Sequence, residues 1–383
     1  MANRLLVCSI GLLMAGSTFG QTRDYGRRLE DTRRHYETAK KYEQVANWSA
    51  AEAEWRLVLQ IAPDDARAWT NLGVALNRQN KTAEAINAWK RAIEIEPKLA
   101  GAYFNLGLTL VRSGAYGDAV APLRRSLEIE PENDGARRSL ALALIGTEQF
   151  PEASRQIALL LAKSERDPAL LEMAAQSFMH QRRYAEAARV LKRRIDLGNA
   201  PSQLWAEYGD ALDGAKRTPE AVDAYREAVR LAPDSTASRY GLGYLFWKLY
   251  RYEEAERELS EVLHRDPQDA RAAFTLGDLY LTRGDATRAV PLLEKAVTIY
   301  PNEFDTRFAL GRALLLTGNL PRGIEELRAA VKLDESIADG HFQLGRALMR
   351  SGSKEEAKRE FDRARELQNV KRASEAERFL KNP

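Results

Sequence analysis

From Thr32 onward, apolar side chains recur every three or four residues in runs a few helical turns long, with brief polar breaks between them. The stretch from Ala66 to Pro97 shows the unit. Trp69, Leu72, Gly73 and Leu76 fall on one stripe of a first helix. Asn80 interrupts that helix, being a residue that tolerates left-handed backbone. Thr82 offers a capping hydroxyl for a second helix, whose inward stripe is Ala85, Trp89, Ala92 and Ile93. Pro97 closes the unit, because proline cannot continue a helix interior. The pattern predicts two antiparallel helices joined by a short turn.

The same pattern returns at a fixed interval. Pro63, Pro97 and Pro131 stand 34 residues apart, and so do Pro233, Pro267 and Pro301 further on. Glycine inside a helix costs about 1 kcal/mol relative to alanine, so its return at Gly73, Gly107, Gly209, Gly243, Gly277, Gly311 and Gly345 calls for a reason. Close approach of the two helices supplies one, with alanines such as Ala85 and Ala289 opposite and Gly323 in the ninth unit. Self-similarity at this period is the mark of a repeat array. The order Trp69, Leu72, Gly73, Leu76, Ala85, Trp89, Ala92, Pro97 resembles the tetratricopeptide repeat, as do Ala102–Gly107 and Phe274–Tyr280. The expected fold is all-α: an α-solenoid of tandem helix-turn-helix repeats, which the resemblance implies would form a right-handed superhelix. Ten repeats fit residues 32–371, and the polar segment 372–383 reads as a C-terminal capping helix. The first repeat lacks the Leu-Gly step, and the fourth and fifth diverge, with Ala141 and Ala175 at the glycine place. Pro122 and Pro291 predict mild bends in their helices.

Residues 1–20 have a different character. Arg4, the apolar run Leu5–Ala15 and the small residues up to Gly20 match a secretory signal peptide, and the run is too short to span a bilayer. Residues 21–31 then form a lead-in, and the chain is expected to be exported, periplasmic or extracellular. Cys8, the one cysteine, falls in the leader, which leaves the mature protein without thiol or disulfide chemistry. No later segment is long and apolar enough to cross a membrane. Charge changes the picture little: 58 basic residues against 55 acidic ones give no electrostatic reason to expect nucleic acid.

Chemistry is sparse. His35, His180, His264 and His341 lie in separate repeats, and no zinc helix, nucleophile elbow or phosphate loop is present. The sequence therefore predicts no catalytic residue, no metal and no cofactor. The expected role is binding, with a protein or peptide as partner. In arrays of the family it resembles, first helices line the concave face where partners dock. The fifth place of each first helix reads Tyr36, Thr70, Phe104, Arg138, Glu172, Ala206, Tyr240, Phe274, Phe308 and Phe342. The last four are aromatic in successive repeats, and Tyr244, Trp247, Arg312 and Arg346 fall beside them at ninth or twelfth places. These eight residues form the predicted groove, and packing between repeats is the competing explanation for the aromatics. The Lys and Asn set with which some tetratricopeptide grooves clamp a terminal carboxylate is missing. An oligomeric assembly scaffold, including a homo-oligomer, and an accessory subunit to an enzyme on another chain are the alternative roles.

Overall fold

The computed structural model of the chain describes residues 27–381, with side chains described through 373; the predicted leader and most of the lead-in lie outside these residues. Two compact bodies divide it, one ending at Glu186 and one beginning at Ala187. The first body holds α1 (27–44), α2 (Trp48–Ile61), α3 (Ala66–Arg78), α4 (Thr82–Ile95), α5 (Ala100–Arg112), α6 (Tyr116–Ile129), α7 (Asp134–Gly146), α8 (Phe150–Lys163) and α9 (Pro168–His180). The boundary falls inside α10 (Tyr184–Asp196). The second body continues with α11 (Ser202–Gly214), α12 (Thr218–Leu231), α13 (Thr236–Lys248), α14 (Tyr252–Arg265) and α15 (Ala270–Thr282). It ends with α16 (Ala286–Ile299), α17 (Phe304–Leu316), α18 (Leu320–Leu333), α19 (Ala338–Arg350) and α20 (Lys354–Lys381). From α3 on, odd-numbered helices begin 34 residues apart, and so do even-numbered helices from α2 on, so the prolines counted the register correctly.

The turn inside each repeat is built the same way ten times. A left-handed residue occurs at Ala46, Asn80, Gly114, Glu148, Arg182, Lys216, Tyr250, Gly284, Gly318 and Gly352. In the second repeat the Lys81 N–H bonds the Leu76 carbonyl and the Asn80 N–H bonds that of Asn77, which satisfies the last carbonyls of α3. The expectation for Thr82 needs correction: Lys81 is the N-cap residue of α4, no side chain caps it, and Thr82 is already helical. The left-handed residue reverses the chain so tightly that the second helix starts one residue before a threonine cap would be useful.

Close helix packing explains the internal glycines, with one correction. A β-carbon on Gly277 would lie 2.8 Å from Leu293, so the obstacle is a large side chain of α16 rather than Ala289. On Gly73 it would strike the indole of Trp89. Leu293 and Trp89 are themselves buried, so each glycine is the socket for one large core side chain sixteen residues later. In the ninth repeat the backbones also close in, since a β-carbon on Gly311 would lie 3.2 Å from the Gly323 carbonyl oxygen.

The prolines have a partner that the sequence pattern did not reveal. The fourth residue of a first helix donates to the carbonyl of the residue six before it: Trp69 to Pro63 at 2.8 Å, Arg239 to Pro233 at 2.9 Å and Arg307 to Pro301 at 2.7 Å, with Arg137 to Pro131 alike. Several of these side chains also reach the second helix of their own repeat. Arg239 pairs with Glu258 and Arg307 with Glu326, each at 2.7 Å, and His341 meets Glu360 at 2.6 Å. These clasps fasten each first helix to the loop before it and the helix after it.

Several neighbouring first helices touch one another, α3 with α5 and α5 with α7 in the first body, and α11, α13, α15, α17 and α19 in succession in the second. No pair of neighbouring second helices among the described residues has comparable contact. The repeats therefore converge on the first-helix side, which is the concave side of each body. At the C-terminus, α20 runs unbroken to Lys381. The segment read as a separate capping helix extends the last second helix, because neither glycine nor proline interrupts it.

Candidate functional site

In the second body, the fifth, ninth and twelfth places of α13, α15, α17 and α19 lie on the converging side. On α13 the rings of Tyr240, Tyr244 and Trp247 form a continuous run. Tyr240 and Tyr244 stack at 6.3 Å between centroids, and Tyr244 and Trp247 at 5.6 Å. Tyr244 is exposed, while Tyr240 and Trp247 are half-buried. The Arg271 guanidinium from α15 covers Tyr240 at 4.7 Å.

The other predicted residues have mixed surroundings. Phe274 is half-buried. Phe308 stacks on Phe304 at 5.3 Å and packs against the cluster of Leu327, Leu344 and Leu348, so much of its surface belongs to the core. Phe342 is 41% exposed and meets Phe361 at 5.8 Å. Among the described residues, no ring contact joins Tyr240, Phe274, Phe308 and Phe342 to one another. They share a register without forming a continuous stack.

Polar groups link three of the first helices. Asp278 on α15 lies near the Trp247 indole of α13 and beside Arg312 of α17. Burial nevertheless raises the Asp278 pKa above the usual aspartate value, and Arg312 and Trp247 oppose that rise. Arg312 also lies over the Phe308 ring at 5.6 Å. Arg346 is exposed and lines a shallow pocket of about 160 Å³ with Arg312, Gln343 and Arg350.

A larger pocket, about 720 Å³, lies between α11 and α13. Its lining includes Glu207, Asp210, Tyr225, Tyr240, Tyr244 and Arg271. Tyr225 comes from α12 and reaches the pocket because two glycines admit it. A β-carbon on Gly209 would lie 2.5 Å from its ring, and one on Gly241 would clash with the other side. The Tyr225 hydroxyl donates to Asp210 at 2.5 Å. Asp210 is open to solvent within the pocket, yet the walls remove enough water to raise its pKa, and burial beside this carboxylate pushes the Tyr225 phenol far upward. The sequence reading began its groove at Tyr240 and missed this pocket. Gly241, an extra glycine two residues before Gly243, was the available signal.

A family model described as Tetratricopeptide repeat matches residues 110–177 and 280–336, and a second of that description matches 189–236 and 240–304. A third, described as TPR repeat, matches 75–114. The chain belongs to the tetratricopeptide repeat family. As such an array it is a protein–protein interaction scaffold, and tetratricopeptide families are generally non-catalytic. Solved structures with similar architecture include MamA from Desulfovibrio magneticus RS-1, at 24% identity over 44% of this chain and 96% of that one, with a TM-score of 0.42. Naa15/Naa10 bound to HypK-THB is similar at 15% identity over 88% and 63%, with a TM-score of 0.47. Yeast Tom70 is similar at 13% over 88% and 85%, with a TM-score of 0.42. At these identities the likeness extends no further than the fold. No curated protein matches the sequence.

Proposed function

We propose that this tetratricopeptide scaffold binds an extended or helical protein segment on the concave side of α13, α15, α17 and α19. The segment carries apolar side chains and some negative charge. The observation that carries this reading is the pairing of solvent-open aromatics with an exposed cation: Tyr244 and Phe342 are both exposed, and Arg346 follows Phe342 by one helical turn. Aromatic and arginine side chains dominate binding energy at interfaces. Phe308 contributes mainly by shaping the wall, because it already packs against Leu327, Leu344 and Leu348.

The test uses fluorescein-labelled degenerate twelve-residue peptide pools of Leu, Ala and Glu, with anisotropy as the readout. Leu/Glu pools should bind the full chain, and Arg346→Ala should weaken them while thermal melting stays unchanged. Equal binding by the variant ends this reading. We further propose that the scaffold works outside the cytoplasm, on the strength of the Arg4 and Leu5–Ala15 pattern. N-terminal sequencing of protein from its own cells should then find a start near Thr18 or Gln21, and an intact Met1 on cytoplasmic protein would contradict it.

A further inference from the structure

We infer that the pocket between α11 and α13 receives a lysine or arginine side chain of the bound segment. The inference rests on the groove reading above and extends the groove by one repeat, to α11.

The pocket combines a roomy cavity, aromatic walls and two carboxylates that have no ion pair among the described residues. Its volume of about 720 Å³ exceeds what one extended side chain requires. Tyr225, Tyr240 and Tyr244 line it, and tyrosine rings attract cations through their negative faces. Three carboxylates border it: Glu207, Asp210 and Asp213. Asp213 is already engaged, since Lys248 pairs with it at 2.7 Å. Glu207 accepts only from the Gln203 amide, at 3.0 Å, and Asp210 only from the Tyr225 hydroxyl, so neither has an ion pair among the described residues. Arg271 does not fill the vacancy, because it pairs with Asp269 at 3.0 Å and covers Tyr240.

Asp210 is held above its ordinary pKa by the loss of water, and a cation beside it would relieve that penalty. An anionic or uncharged side chain would leave both carboxylates uncompensated. The opposite sign gathers at the far repeats, where Arg312, Arg346 and Arg350 line the small pocket. A segment in the groove would then lie in one direction only, with its cationic residue toward α11 and its acidic residues toward α19.

The test keeps the degenerate Leu/Ala/Glu pools and fixes one position as lysine, arginine or norleucine, the last keeping the apolar stem without the charge. Against the full chain, the lysine and arginine pools should bind at least fivefold tighter than the norleucine pool. In the double variant Glu207→Gln, Asp210→Asn that preference should fall below twofold, because lysine and arginine binding weakens while norleucine binding is no weaker than before. Both changes are isosteric at exposed positions, and circular-dichroism melting checks the fold. Arg346→Ala should weaken all three pools alike and keep the preference. Equal binding of lysine and norleucine pools by the unmodified protein overturns the inference and leaves the groove reading standing. So does a preference that survives in the double variant. Failure of every pool to bind overturns both.

Discussion

The two bodies of this protein have the same internal lattice and different first-helix faces. In the N-terminal body, several fifth-place side chains are engaged by neighbours within their own repeats. Tyr36 meets Trp55 edge-on at 4.7 Å, the Thr70 hydroxyl bonds the Ala66 carbonyl, and Arg138 pairs with Asp167 at 2.6 Å. In the C-terminal body, Tyr244, Phe342 and Arg346 stay open to solvent, and Glu207 and Asp210 have no ion pair among the described residues. The places that every repeat must fill identically set the fold. The places left free by that packing differ between bodies, and there the proposed binding surface lies.

The largest expected effect tests whether the clasps are equivalent in the two bodies. Arg239 and Glu258 form a nearly buried pair, so Glu258→Ala should cost about 3 kcal/mol by leaving an uncompensated guanidinium. The counterpart in the N-terminal body is Arg137 with the uncharged Gln156, at 2.9 Å, and Gln156→Ala should cost about 1 kcal/mol. Urea unfolding of both variants measures the difference. Equal losses would show that burial of charge does not distinguish the clasps.

The next prediction concerns the shared lattice. Gly277→Leu drives a side chain into Leu293 and should cost about 1–3 kcal/mol, and Gly107→Leu should do the same against Leu123. Because repeats couple chiefly to their neighbours, hydrogen exchange should rise first around the altered repeat. Uniform loosening of the whole chain would contradict that coupling.

Much of this lattice was legible in the sequence, and the groove was less so. Helix starts 34 residues apart, the left-handed Asn80 and the sockets at Gly73 and Gly277 all follow from signals that each repeat displays by itself. The errors arise where neighbours decide. The packing partner of Gly277 is Leu293 rather than Ala289 because the side chain sixteen residues on lies against the glycine, as Trp89 does against Gly73. Phe308 looks like an anchor in the linear pattern, yet Leu327, Leu344 and Leu348 from two further helices claim much of its surface. The cation pocket needs Tyr225 of one repeat and Gly241 of the next, a combination that no single repeat contains.

A smaller effect probes the electrostatics of the groove. The raised pKa of Asp278 means that the folded chain binds this proton more tightly than the unfolded chain does. Its contribution to stability is therefore greatest at low pH and declines as pH rises from the ordinary value of 3.8 through the raised folded value. In Asp278→Asn that decline should vanish. Urea titrations of both proteins between about pH 4 and pH 7 measure it, and parallel curves would contradict the desolvation argument.

The most direct test of the account compares binding through matched positions of the two bodies. Tyr244 and Leu142 occupy the same ninth place, and both are exposed, at 36% and 40%. Anisotropy titration of one Leu/Glu peptide pool against Tyr244→Ala and Leu142→Ala isolates the face that binds. The account predicts a loss of about 1–3 kcal/mol, roughly fivefold to 160-fold, for Tyr244→Ala and unchanged affinity for Leu142→Ala. Full affinity in Tyr244→Ala, or an equal loss in Leu142→Ala, would contradict it.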